Sequence, residues 1–173
     1  TDSGIPDFRG PKGLWTRLDP DDFTIERYLT DPEVRRRSWA NRAVTGFLDA
    51  APNSAHHAVV RLWEAGVLIG VVTQNVDGLH GAAGLPSHAI VEMHGSATST
   101  SCVVCHASQP TRDVAKRWEQ GETEPACRLC GGILKTDVVM FGERLPDHAL
   151  ARAFQMADEA DAVLAVGTTL GVF

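Results

Sequence analysis

Apolar and polar positions change rhythm several times along the 173-residue chain, and each change marks an element. Asp31-Pro32 reads as an N-cap followed by the first helical position, which predicts a helix from there to about residue 51. Within it, Arg35 and Arg37 stand four positions after Asp31 and Glu33, so the run 35–37 is expected to form a solvated face. Pro52-Asn53-Ser54 opens a second helix that carries Val59, Val60, Leu62 and Trp63 and stops at Gly66. Residues 67–73 form a β-branched run, the pattern of a strand buried on both faces. Shorter strands are predicted at 89–93, 138–141 and 162–166, with an amphipathic helix over 146–160. Strands alternating with helices predict an α/β fold with a parallel sheet, whose ligands sit beyond the carboxyl ends of the strands.

Composition narrows the possibilities. Apolar residues make up 43% and charged residues 22%, enough to build a core. A net charge of −6 disfavours a broad basic face, so nucleic acid is not an expected partner. The longest apolar stretch, residues 65–72, is far shorter than the roughly 20 residues of a membrane helix. No charged-then-apolar leader opens the sequence, and a cytoplasmic location is expected. The first residue is Thr1, inside a turn-like run, which reads as a chain cut from a longer one.

Four cysteines supply the sharpest chemistry. Cys102, Cys105, Cys127 and Cys130 form two Cys-x-x-Cys pairs with 21 residues between them. Two such knuckles can close four thiolates around one tetrahedral zinc at about 2.3 Å. Disulfides are the alternative, but there is no leader and no cysteine outside the pairs. With all four positions filled by thiolates, a zinc here is expected to be structural, and the neighbouring His106 is not needed as a ligand. The stretch 101–134 therefore reads as a zinc module inserted into a larger α/β domain.

Polar clusters stand at three predicted strand ends: Thr73-Gln74-Asn75-Val76-Asp77-Gly78, Glu92-Met93-His94-Gly95 and Gly167-Thr168-Thr169. Gln, Asn and Asp offer donors and acceptors suited to ribose hydroxyls and a carboxamide, and a Gly-Thr-Thr turn suits a nucleotide. Of seven histidines, His94 alone directly follows a predicted strand and precedes a glycine, a place suited to a general base. His56, His57, His88 and His148 fall in helices or polar turns, and His80 reads as a buttress of the 74–78 loop. Neither a Walker loop nor a Gly-x-Gly-x-x-Gly fingerprint is present.

In chain order, six motifs resemble the sirtuin family. They are Ser3-Gly4-Ile5-Pro6-Asp7-Phe8-Arg9-Gly10 with Gly13-Leu14-Trp15, Thr73 to His80 (Thr-Gln-Asn-Val-Asp-Gly-Leu-His), Glu92-Met93-His94-Gly95, the cysteine pairs, Val139-Met140-Phe141-Gly142-Glu143, and Gly167-Thr168-Thr169-Leu170. The resemblance implies a Rossmann-like NAD-binding domain (residues 1–100 and 135–173) and a small zinc-ribbon-like module (101–134). The helical part of the small domain would lie around 20–51. It implies an NAD-dependent protein-lysine deacylase that displaces nicotinamide with the acyl oxygen and yields free lysine and O-acyl-ADP-ribose. His94 would be the base acting on the ribose hydroxyl, with Asn75 helping to place reactive groups. Ile5, Asp7, Phe8, Arg9, Gln74, Asn75, Asp77, Gly167, Thr168 and Thr169 would contact NAD. Val139, Phe141, Gly142 and Glu143 would pair with the substrate backbone on one side and Gly171 and Val172 on the other, as an added strand.

Departures bear on the acyl group. Where desuccinylating sirtuins carry Tyr-x-x-Arg, this chain has Trp39-Ala40-Asn41-Arg42, and its local context looks more like class II sirtuins. Trp39 and Arg42 are thus candidate acyl-pocket residues, with a helix-surface charge as the other reading of Arg42. ADP-ribosyl transfer to protein, a lipoamidase-type activity, and a non-catalytic zinc-binding interaction module are the alternatives. The family's first strand with its Gly-Ala-Gly loop would precede Thr1, and further nucleotide-contacting strands would follow Phe173. The 173-residue stretch alone is therefore expected neither to bind NAD well nor to turn over.

Overall fold

The computed structural model describes residues 2–6, 13, 16, 18–44 and 47–168. Asp7, Phe8, Arg9, Thr169, Gly171 and Val172, each a predicted site residue, lie outside the described residues.

Two sheets form among the described residues. β1 (Val71–Thr73) and β2 (Ile90–Glu92) pair in parallel, Val72 opposite Val91. Their crossover contains the short helix α4 (Leu79–Ala82). β3 (Gly95–Cys102), β4 (Ser108–Pro110) and β5 (Leu134–Val138) make an antiparallel sheet in the order β4-β3-β5. The architecture is mixed α/β, with the parallel pair continuing straight through a turn into the antiparallel sheet of the cysteine module.

Helices cover both parts. α1 (Ile25–Thr30) is capped by the Thr24 hydroxyl, which accepts from Arg27 N–H, and α2 (Pro32–Val44) starts on Pro32 as expected. α3 (Ser54–Glu64) begins with a capping box between Asn53 and His56. α5 (Thr111–Glu119) and α6 (Asp147–Glu159) complete the set. α6 packs on β2, burying Ala149 and Met156 against Val91. α1 and α2 sit on the cysteine module. Trp39, 1% exposed, joins Cys102, Val114, Cys127 and Leu134 in one core cluster, and Tyr28 donates its hydroxyl to Leu134 C=O at 2.7 Å.

Several expectations are corrected. Among the described residues the helix from residue 32 spans Pro32–Val44, and Phe47–Asp49 is a turn of 3-10 helix rather than its continuation to residue 51. The strand predicted over 67–73 pairs only at Val71–Thr73, and Val67, Ile69 and Val72 are exposed. The ladder extends only as far as its partner, and β2 supplies three residues. Residues 162–166 form no strand, and Val163, Leu164 and Val166 are exposed. The strand predicted at 138–141 is displaced to Leu134–Val138, because the pairing follows β3. Arg35 is no solvated charge: it is 8% exposed, donates to the carbonyls of Tyr28 and Leu29 at 2.9 and 3.0 Å, and pairs with Glu124. Arg37 pairs with Asp22 rather than Glu33. No helix among the described residues is long and apolar enough to cross a membrane.

Candidate functional site

Both strands of the parallel pair deliver polar loops at their carboxyl ends. After β1, Asn75 N–H donates to the Thr73 hydroxyl at 3.1 Å, and Asp77 accepts from Leu79 N–H at 3.0 Å. The Asp77 carboxylate thus caps the turn into α4, while Gln74 and Asn75 are exposed. After β2, Met93 N–H donates to Thr73 C=O at 2.9 Å, which folds the 93–94 turn back onto the end of β1. His94 Nδ1 lies 3.0 Å from Gln74 C=O. A carbonyl can only accept, so Nδ1 carries a proton, and in the neutral ring it is Nε2 that keeps the lone pair. This is the tautomer a general base needs.

Gly95 makes the exit from this turn possible. Its φ is +69°, and a Cβ there would lie 1.8 Å from Asp137 C=O, so no side chain fits. β3 then slips against β5: Ser96 faces Asp137, but Thr100 faces Thr136. The extra residues bulge toward the loop after β1, where Ala97 N–H donates to Val76 C=O at 2.8 Å. Ser99 closes the bulge by donating to Asp137 at 2.5 Å. Sequence reasoning missed this bulge, because Gly-Ser-Ala-Thr-Ser-Thr-Ser carries no apolar alternation.

The segment after β5 is pinned on several sides. Val139 N–H donates to His94 C=O at 2.8 Å. Phe141 donates to Phe23 C=O and accepts from Ile25 N–H, at 3.0 and 2.9 Å. Met140 C=O accepts from Glu143 N–H at 3.0 Å across a turn with Gly142 at φ +86°, the third position where a type II turn needs glycine. Met140 N–H is taken by the Glu143 carboxylate at 2.7 Å. Of the N–H groups in 139–143, Gly142's alone makes no hydrogen bond among the described residues. The backbone groups of Phe141, expected to face a substrate strand, are already engaged.

The remaining predicted residues fall elsewhere. Ile5 is 7% exposed. Gly167 and Thr168 lie in the exposed segment after α6. Trp39 is withdrawn into the module core and offers no surface to an acyl group. Arg42 is not a surface charge: it turns inward, donating to Thr136 Oγ1 at 2.7 Å and to Ser38 C=O at 3.0 Å, with its guanidinium carbon 5.9 Å from the Trp39 ring centroid. Burial pulls its pKa down from the usual value.

The four cysteines converge. Their Sγ atoms all lie within 4.8 Å of one another, with Cys102 and Cys130 at 3.5 Å and Cys105 and Cys127 at 3.6 Å. A tetrahedron with metal–sulfur bonds of about 2.3 Å has sulfurs about 3.8 Å apart, whereas a disulfide needs about 2.05 Å. Zinc fits and disulfides do not. Knuckle backbone favours the thiolate. The N–H groups of Cys105 and Val104 draw Cys102 down to about 6, and those of Leu129 and Cys130 draw Cys127 down. Gly132 N–H acts the same way on Cys130, yet the neighbouring sulfurs of Cys105 and Cys102 push it up to about 12. A divalent cation removes that repulsion.

Comparison with known proteins places relatives along the whole chain. Residues 1–173 match the Sir2 family. An NAD-dependent protein deacetylase 2 of Streptomyces coelicolor is 50% identical over 99% of the chain, which spans 72% of that relative. An NAD-dependent protein deacetylase of Sulfolobus acidocaldarius is 44% identical over the whole chain, which spans 66% of its length. Among solved structures, one reported for the structural basis of sirtuin substrate affinity superposes with a TM-score of 0.87 at 35% identity, over 99% of this chain and 69% of that one. A Sir2 bound to acetylated peptide superposes with a TM-score of 0.76 at 33% identity, over 90% of this chain and 60% of that one.

Proposed function

The chain belongs to the Sir2 family, and from that premise we propose that it carries the base, part of the cofactor site and one wall of the peptide site of an NAD-dependent protein-lysine deacylase. The observation that carries this reading is the juxtaposition of His94 with the loop after β1, fixed by the 3.0 Å contact from Nδ1 to Gln74 C=O. NAD, when bound, supplies a ribose whose bond to nicotinamide can break in favour of the acyl oxygen. Everything else falls to the protein. His94 Nε2 takes a proton from the ribose hydroxyl. Gln74, Asn75 and Asp77 offer the polar groups for ribose and carboxamide, joined by Ile5, Asp7, Phe8, Arg9, Gly167, Thr168 and Thr169 in the roles the resemblance gives them. An acyl-lysine peptide lies along 139–143 as an added strand, with Gly142 N–H as the free donor, and meets Gly171 and Val172 on its other side. Cys102, Cys105, Cys127 and Cys130 hold one zinc that shapes the module and touches no reacting atom. We further propose that the NAD domain comprises 1–100 and 135–173 and the zinc module 101–134, with helical residues 20–51 completing the small domain.

The test joins the flanking segments of the Streptomyces coelicolor relative to this chain and supplies NAD with an acyl-lysine peptide panel. Mass spectrometry is expected to find unmodified lysine and O-acyl-ADP-ribose. His94→Tyr is expected to abolish both products and leave one zinc per chain. Protein-bound ADP-ribose without deacylation would favour the transferase reading instead, and an active His94→Tyr variant would remove His94 from the mechanism.

A further inference from the structure

β5 carries two charged side chains that the sequence motifs leave without a task; Asp137 accepts from Ser99 across the bulge, and Lys135 turns the other way along the chain. Its ammonium is held at three points: Val138 C=O at 2.8 Å, Glu143 Oε2 at 3.0 Å and Thr136 C=O at 3.2 Å. An ammonium has three protons, so its donors are fully used. The side chain is 15% exposed and that of Glu143 25%, which shields the pair from solvent.

Two of these bonds reach beyond β5. The Val138 C=O held by Lys135 belongs to the same peptide group as Val139 N–H, and that N–H donates to His94 C=O at 2.8 Å. One rigid peptide plane therefore links the ammonium to the turn that carries His94. In the other direction, Lys135 orients the Glu143 carboxylate, whose same Oε2 accepts from Met140 N–H at 2.7 Å. Glu143 N–H in turn donates to Met140 C=O at 3.0 Å, so the turn around Gly142 is closed twice. Without the ammonium, the carboxylate would lose its only ion pair among the described residues and would face a single backbone N–H.

We propose that Lys135 is a positioning residue: it fixes the 139–143 segment and its registration against the His94 turn, and so presets the wall along which an acyl-lysine peptide docks. The peptide-docking consequence rests on the deacylase reading above, whereas the geometric core of the inference does not. Lysine suits the task because three acceptors converge on one atom. Arginine spreads its donors over a flat fork and cannot serve all three at once.

The experiment uses the chain completed with the flanking segments of the Streptomyces coelicolor relative, with zinc bound, and compares wild type with Lys135→Met. Residue-resolved hydrogen exchange is expected to show Met140 N–H at least about tenfold less protected in the variant, with the β3–β5 ladder around Thr100 and Thr136 unchanged. A fluorescent acetyl-lysine peptide is expected to bind the variant about tenfold more weakly, with NAD affinity unaltered. Lys135→Arg is expected to restore only part of the Met140 protection. If Lys135→Met does not fold, Lys135→Gln gives the same readout, since it removes the ammonium and leaves the Glu143 carboxylate facing Met140 N–H. Unchanged Met140 exchange overturns the inference, as does a loss of protection spread evenly over the sheet. Lost Met140 protection in a chain whose wild type ignores the peptide would refute the deacylase reading and leave the clamp standing.

Discussion

Tyr28 offers a quantitative test of how the helical segment is fastened to the cysteine module. It is 2% exposed, and its hydroxyl donates to Leu134 C=O at 2.7 Å. Leu134 stands opposite Cys102 in β5, and the adjacent pair bonds through Val103 N–H to Ile133 C=O, so the ladder to β3 leaves the Leu134 carbonyl to Tyr28. Tyr28→Phe deletes the donor and strands a buried acceptor, which costs about 1–3 kcal/mol. A loss near 2 kcal/mol lowers Tm by about 4–8 °C in a chain of this size. Burial also pushes the Tyr28 phenol up to about 12, only partly offset by the charges of Arg42 and Arg35. Because the folded value lies above the ordinary value of about 10, the neutral phenol is the form the fold favours. That contribution is fully present below about pH 10 and disappears as pH rises through about 12, a span worth roughly 2–3 kcal/mol. Urea titrations of wild type and variant between pH 8 and 11.5 provide the assay. The gap should be near 2 kcal/mol at pH 8 and close at the alkaline end, with equal m-values throughout. A variant as stable as wild type at pH 8, or a gap indifferent to pH, would refute the reasoning.

Two further outcomes follow from the same coordinates. Cys130→Ser removes one thiolate from a closed set of four, and metal analysis should find well below one zinc per chain, with faster amide exchange in β3, β4 and β5 while the β1–β2 pair keeps its protection; an unchanged equimolar zinc content would contradict the tetrathiolate. Gly95→Ala places a Cβ 1.8 Å from Asp137 C=O in a residue at φ +69°, so thermal denaturation should reveal a loss of about 3 kcal/mol or an insoluble product; a variant within experimental error of wild type would show that the turn can move.

What could be read from the sequence followed the strength of local constraint. Paired cysteines at knuckle spacing demand one another's company, and His94 stands before a glycine that no other residue can replace. The parallel sense of the sheet was legible too, since predicted strands alternate with helices, and β1 pairs with β2 in parallel. β3 was not legible, because its buried positions are Ala97, Thr100 and Cys102 in a serine- and threonine-rich run. Thr100 is satisfied by Thr111 at 2.8 Å, a partner eleven residues away that no periodicity reveals. α5 was hidden in the same way: its inward face is Thr111, Val114, Ala115 and Arg117, and Arg117 is held there by Glu122 and Ala126 C=O, which receive its Nε and Nη2 donors. Arg35 as a solvated charge and Arg42 as a helix-surface charge fail for one reason. A helix that packs against a metal module instead of an apolar sheet can bury arginines, provided carbonyls, hydroxyls or a carboxylate meet them.

The long-range part of the fold explains why a zinc that touches no reacting atom belongs to the site. β3 runs from Gly95, next to His94, to Cys102, the first metal ligand. β5 runs back from Leu134, two residues past the second knuckle's glycines, to Val138, whose peptide group meets both Lys135 and His94. Two strands thus connect the metal to the base on one side and to the 139–143 segment on the other. Their far ends are fixed by the cysteines, and their near ends by the His94–Val139 bond. The slip between Ser96 and Thr100 interrupts this frame at one place, where Ala97 leaves the ladder to hold Val76. That interruption lets one strand serve two neighbours: it keeps the metal-side register with β5 and also fastens the loop bearing Gln74, Asn75 and Asp77. Straightening the bulge would restore the ladder and release that loop, so the irregularity is the joint at which the cysteine module and the parallel pair become a single site.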